Sequence, residues 1–212
     1  MQNTNDLWLG SVPTDWQPFR VKDVAQLSPG FSGNAPPLTE LCTVIPMETV
    51  SDKSLPPDKA DGYYLSEGDV LFARSGATVG KSFLFRNYNG KACFAGYLIK
   101  ARTNLYKLIP EYLYNFTKKA PSYDSWKNII FTQATIQNIS ATKYAYLPVT
   151  VPPIDEQKKI LFYLDIKMTM IQDLQKNLSD QISTLEQYRK SLIHECVTGK
   201  RRITDDDVRG LI

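Results

Sequence analysis

The chain has 212 residues, 42% of them apolar and 22% charged, with a formal net charge of +3; this is ordinary globular composition and excludes a largely disordered chain. No apolar run approaches the roughly 18 residues that span a bilayer, and the opening Met1–Gly10 lacks the basic and apolar regions of a secretory signal. Three widely spaced cysteines, Cys42, Cys93 and Cys196, form neither a disulfide framework nor a zinc ribbon and fit a reducing cytoplasm, and the single histidine, His194, argues against a Ser-His-Asp site or a histidine-rich metal site.

In chain order, the density of Pro, Gly, Tyr and β-branched residues predicts a mixed α+β domain over residues 1–152. Strands are expected at Cys42–Met47, Val70–Ala73, Ser82–Arg86, Ala92–Lys100 and Tyr144–Val151, with turns at Pro56-Pro57, Gly68-Asp69 and Asn87–Gly90. Pro110 followed by EYLYNFTKKA predicts a helix with proline in its first turn and bases at its C-terminal end. A further helical turn is expected at Thr135–Ile139. From residue 153 to 199 the pattern changes. After Pro152-Pro153 there is no glycine or proline until Gly199, which predicts one long helix, with Asp155 as its N-cap. Its heptads place Leu164, Ile171, Leu178, Leu185 and Leu192 at d, and Leu161, Met168, Gln175, Ile182, Arg189 and Cys196 at a. A seam of that period needs a partner helix. Residues 200–212 read as a charged, irregular tail.

Charge is unevenly spread along this plan. Residues 1–69 hold four bases and ten acids, a net −6. Residues 70–150 hold eleven bases against Glu111 and Asp124, a net +9, and residues 151–212 balance ten against ten. A basic half suits a polyanion, of which nucleic acid is the commonest; a lysine-rich solvated surface is the plainer alternative.

The segment Ser75-Gly-Ala-Thr-Val-Gly-Lys81-Ser82 is one glycine short of a P-loop, and the Phe83-Leu84-Phe85 that follows reads as a strand where a phosphate-binding helix is needed. It reads better as an exposed turn carrying Arg74, Ser75, Thr78 and Lys81, groups suited to phosphates and base edges. Val151-Pro152-Pro153-Ile154 lacks the acceptor and the aromatic of the amino-methyltransferase signature. His194-Glu195-Cys196 on a helix does not place its ends on one face. The aromatics between Tyr106 and Trp126 read as packing, with a base-stacking platform as the alternative. In Thr132–Asn138, Gln133 and Gln137 supply amides that pair with adenine and Thr135 a hydroxyl that can meet a base edge, or else these residues simply turn and cap a short helix. Lys100, Arg102 and Lys143 are expected as phosphate contacts.

Taken together, the chain resembles the specificity subunit of type I restriction–modification systems. The resemblance runs through Trp16-Gln-Pro-Phe19, Val21-Lys-Asp-Val24, Pro29-Gly30, Gly68 through Lys81 and Gln133 to Ile139. It is strongest at Leu147-Pro-Val-Thr-Val-Pro-Pro-Ile-Asp-Glu-Gln157, followed by the long helix and Leu192 through Gly199. It implies a target recognition domain that reads double-stranded DNA and a conserved helix that spaces it. It implies no catalytic residue, no metal and no cofactor on this chain. S-adenosylmethionine and ATP would be bound only by partner methyltransferase and restriction subunits. Members of this family have two recognition domains and two helices in tandem; this chain has one of each, as a natural half-subunit, a truncated product or an excised piece would. A second copy is then expected to cover the seam Leu161, Leu164, Met168, Ile171, Leu178, Ile182, Leu185 and Leu192, in an antiparallel homodimer reading an interrupted palindrome. The alternative is a decoy that holds methyltransferase subunits without binding DNA.

Overall fold

The structure is a computed structural model that describes residues 1–3, 9–31, 43–44, 51–54, 62–76, 78–132 and 138–209. Its contacts divide the chain into two compact units, Met1–Leu161 and Phe162–Ile212. Among the described residues no helix is long and apolar enough to cross a membrane.

The first unit is α+β. Its strands are β1 (Gln2–Asn3), β2 (Ser11–Val12), β3 (Gln17–Arg20), β4 (Ala25–Pro29), β5 (Thr43–Val44), β6 (Ser51–Ser54), β7 (Val70–Ala73), β8 (Ser82–Leu84), β9 (Ala92–Cys93), β10 (Leu98–Thr103) and β11 (Pro148–Val151). Its helices are α1 (Val21–Val24), α2 (Pro110–Lys119), α3 (Pro121–Thr132), α4 (Ala141–Ala145) and the beginning of α5 (Ile154–Val197). The principal sheet is antiparallel in the order β4-β10-β7-β8, with Leu98 opposite Ala73 and Val70 opposite Leu84. β11 pairs with β3, β1 with β2, and β5 lies between β6 and β9.

β7 explains why this sheet is central. Its sequence VLFA is apolar at every position because both faces are covered. Val70 and Phe72 point into the main core with Val24, Leu113, Tyr123, Trp126 and Tyr144, and Phe72 stacks on Tyr144 with ring centroids 4.7 Å apart. Leu71 and Ala73 point the other way, onto Phe94 and Leu98.

Several local expectations need correction. Tyr144 is helical, not the start of a strand: Ser140 caps α4 by accepting from the Lys143 amide at 3.2 Å, and the strand begins only at Pro148. The expected strand over 92–100 is broken by a turn closed by the Leu98 amide on the Ala95 carbonyl. α3 was not foreseen. Of the strand at 42–47 only Thr43–Val44 is described, and residues 133–137, with most of the helical turn expected there, lie outside the described residues. In α5 the cap position falls to Pro153, whose carbonyl accepts from Glu156 and Gln157, so Asp155 sits in the first turn and pairs with Lys158 at 3.4 Å.

The first turn of α5 is fastened within the first unit by one side chain. Gln157 is fully buried; its Oε1 accepts from the Ile109 amide at 2.9 Å, and its Nε2 donates to the carbonyls of Lys107 and Pro152, both at 2.8 Å. A primary amide alone can serve one donor and two acceptors at once.

The second unit holds the rest of α5 and α6 (Asp205–Arg209), so the tail is not wholly irregular. Thr204 caps α6, with its amide and hydroxyl both donating to Asp207, and that hydrogen bonding holds the Asp207 carboxyl below its usual range. Leu164, Met168, Ile171, Leu178, Ile182 and Leu185 are exposed, and Leu192 is half-buried. Leu161 departs from the expected seam, because it packs on the main core of the first unit. Phe162, Tyr163, Ile166 and Met170 are exposed as well, and at helical spacing they form a second apolar face away from the seam.

Candidate nucleic-acid interface

The basic loop between β7 and β8 is closed by backbone hydrogen bonds. The Gly80 amide donates to the Ala73 carbonyl at 3.0 Å and the Ala73 amide to the Lys81 carbonyl at 2.9 Å, which closes the loop at its base. Within it, Val79 bonds back to Gly76 and Lys81 to Thr78. Gly80 has φ +79, and a Cβ there would lie 2.5 Å from Cδ of Lys127; only glycine combines that conformation with that approach. The strand Ser82–Leu84 follows Lys81 directly, where a P-loop would continue into a helix.

Two buried phenols hold the loop from below. Tyr123 donates to the Gly80 carbonyl and Tyr144 to the Ala73 carbonyl, each at 2.7 Å. Burial raises both phenols well above their ordinary value, so both stay protonated as donors. Arg74, Ser75 and Thr78 are half-buried on this support and Lys81 is exposed.

The backbone of Arg74 is a junction. Its amide donates to the Tyr97 carbonyl at 2.9 Å, and its carbonyl accepts from the Ile139 amide at 2.8 Å. Ile139 is fully buried and follows the Gln133, Thr135 and Gln137 segment, whose residues lie outside the described ones. The exit of that segment is thus bonded to the start of the basic loop, and half-buried Lys143 lies one turn further, on α4.

Lys100 and Arg102 belong elsewhere. Lys100 is 7% exposed, donates to the Tyr64 carbonyl at 3.0 Å and lies over the Phe94 ring, and burial lowers its pKa. Arg102 gives Nε and Nη2 to the buried Asp69 carboxylate at 2.8 and 2.7 Å, and Nη2 also to Ser66. It stands four residues along β10 from Leu98, about 13 Å from the loop end of the sheet. Lys100 is thereby buried in the fold, away from the phosphate contact expected of it, whereas the Arg102 side chain, 49% exposed, is bonded to Asp69 and Ser66 and still open to solvent. Sequence reading missed Tyr97, 43% exposed beside Arg74, and Lys22, whose ammonium sits 3.9 Å above the exposed Tyr146 ring. No spacing marks them; they are set by strand register and by a cross-chain approach. Among the described residues no group of His, Cys, Asp or Glu could hold a metal ion.

Comparison with known proteins identifies the family and the fold. A family model described as type I restriction modification DNA specificity domain matches residues 13–184. A putative type I restriction enzyme MjaX specificity subunit of Methanocaldococcus jannaschii is 24% identical over 93% of this chain and 49% of its own length. The HsdS subunit from Thermoanaerobacter tengcongensis superposes with a TM-score of 0.62 at 17% identity, over 88% of this chain and 46% of that one. A chain from a study of assembly and conformational transition in the type I R-M system gives 0.66, also at 17% identity, over 88% and 47%. The chain therefore spans about half the length of the relatives it matches.

Proposed function

We propose that this chain, which belongs to the type I restriction modification DNA specificity domain family, is a cytoplasmic, non-catalytic reader that directs adenine methyltransferase subunits, and restriction subunits where present, to one DNA sequence. The observation that carries this is the junction at Arg74, which joins a hydrogen-bonded basic loop to the exit of a glutamine-rich segment. Arg74, Ser75, Thr78, Gln133, Thr135 and Gln137 are the reading groups, with Lys81 and Lys143 on phosphates. Amides and guanidinium read base edges, and lysines position by charge.

The exposed seam from Leu164 to Leu192 then takes a second copy. Antiparallel identical helices have two-fold symmetry, so the two readers face an inverted repeat with half-sites about 10 bp apart for readers on one side of the duplex. The second apolar face, Phe162, Tyr163, Ile166 and Met170, is left for a methyltransferase subunit. The test is duplex binding by the purified chain across a salt series, joined to methylome sequencing of a host expressing it with its methyltransferase subunit. Binding should weaken steeply with salt, Lys81→Ala should reduce the slope by about one, and the methylated site should be an interrupted palindrome. Recovery of methyltransferase subunit with no DNA retained would establish the decoy reading instead, and an asymmetric site would overturn the homodimer.

A further inference from the structure

Among the described residues, Tyr97 belongs to none of the hydrophobic clusters of the first unit. β10 is buried from Leu98 to Ala101, yet the residue just before it is a large aromatic left 43% exposed. Its backbone is tightly held. The 94–97 turn is fastened to Phe31, whose amide donates to the Phe94 carbonyl at 3.0 Å, and to Gly30, which bonds to Leu98 at 3.1 Å. A Cβ at Gly30 would fall 2.1 Å from the Ala95 carbonyl oxygen, so only glycine permits this approach. The pairing of Leu98 with Ala73 continues one step, through the Arg74 amide on the Tyr97 carbonyl at 2.9 Å. That bond lies just beyond the last ladder pair and joins the two backbones at the mouth of the basic loop. Other exposed aromatics of this unit, Tyr106 and Tyr146, have no such bond to the loop. Partial burial raises the Tyr97 phenol above its ordinary value, so the side chain stays neutral.

We infer that Tyr97 is a specificity-determining residue of the DNA-reading surface, its ring making apolar contact with a base edge beside the one Arg74 meets. This rests on the DNA-reading function proposed above. The chemistry selects the target. A major groove lined by hydrogen-bonding groups offers an apolar ring one matching group, the thymine 5-methyl. Arg74 and Tyr97 then read adjacent pairs, guanine by guanidinium and thymine by ring, from two backbones locked together.

The experiment starts from a duplex pool with a randomised segment, from which the full-length wild-type chain selects its site. Replacing each thymine of that site by deoxyuridine removes one methyl without touching the protein. One position should weaken wild-type binding, by about fivefold, and have no effect on Tyr97→Ala. Tyr97→Ala should bind the selected duplex about tenfold more weakly, with an unchanged melting temperature and an unchanged salt slope, since no charge is lost. Tyr97→Phe should match wild type, as should Tyr106→Ala, an exposed aromatic away from the loop. Wild-type binding indifferent to every deoxyuridine, or a Tyr97→Ala chain that selects and binds as wild type does, overturns the inference. A wild-type chain that retains no duplex overturns the DNA-reading function itself, and an effect of Arg74→Ala without one of Tyr97→Ala overturns only the role of Tyr97.

Discussion

Two hydroxyl groups fasten the loop between β7 and β8 to the core beneath it. Tyr123 and Tyr144 spend their protons on loop carbonyls, and each such bond contributes about 1 kcal/mol net. Phenylalanine at either position keeps the ring packing and removes the bond, so Tyr123→Phe and Tyr144→Phe should each lower stability by that amount in urea titration. DNA affinity should fall by more than the loss of stability explains, because the loop itself is released. The same phenols give a pH signature. Burial raises Tyr123 and Tyr144, and pushes Tyr112 up to about 12. Above pH 10 the unfolded chain releases protons that the folded chain keeps, so stability falls as pH rises from about 10. Lys100 acts with the opposite sign: its lowered pKa makes the unfolded state bind more protons, so its contribution improves with pH, and only up to the ordinary lysine value of 10.5. The phenols outnumber it and continue beyond it. Unfolding midpoints at pH 9, 10 and 11 should therefore decline, and Tyr112→Phe should flatten the decline.

At the level of elements, the joint between domain and helix depends on Gln157. Gln157→Leu fills the space and leaves the Ile109 amide and the Lys107 and Pro152 carbonyls without their amide partner. Each buried unsatisfied group costs about 1–3 kcal/mol, so the variant should lose at least about 2 kcal/mol by chemical denaturation, and Gln157→Glu, which cannot donate to the carbonyls, should not rescue it. This joint also shows what a sequence displays and what it hides. The helix of α5 was legible because forty-odd residues without glycine or proline leave no other reading, and β7 because VLFA sits between turn signals. The loop carrying Arg74 to Lys81 was legible from its glycines. Hidden were α4, where the single cap at Ser140 overrides the β-leaning Tyr144–Val151, and the break in β9–β10, which follows from Gly30 approaching from a distant segment. Lys100 was misread for the same reason: its charge suggests a surface, and only the fold supplies the Tyr64 carbonyl as its buried partner.

On the scale of the whole chain, the two units differ in what stabilises them. Met1–Leu161 has its own core, whereas in Phe162–Ile212 the apolar side chains of α5 from Phe162 to Val197 are largely exposed. An isolated helix gains most of its stability from packing, so that of the second unit is tied to the concentration of whatever covers it. Thermal melts should show a domain transition independent of protein concentration and a helix transition that rises with it. Ile171→Glu with Leu178→Glu should abolish the concentration dependence, leave the domain transition in place and yield monomers by sedimentation. Limited digestion of dilute protein should trim the chain back to a fragment ending near Leu161.

That exposed stretch of α5 makes supply a matter of stoichiometry. Copies synthesised beyond the number that find a second helix or a larger assembly carry an open cleavage target between Phe162 and Val197, while assembled copies do not. Under the proposed function, turnover would then remove the surplus selectively, the steady amount of the chain would follow the abundance of its companions, and its synthesis could run ahead of theirs without leaving unpaired copies on DNA.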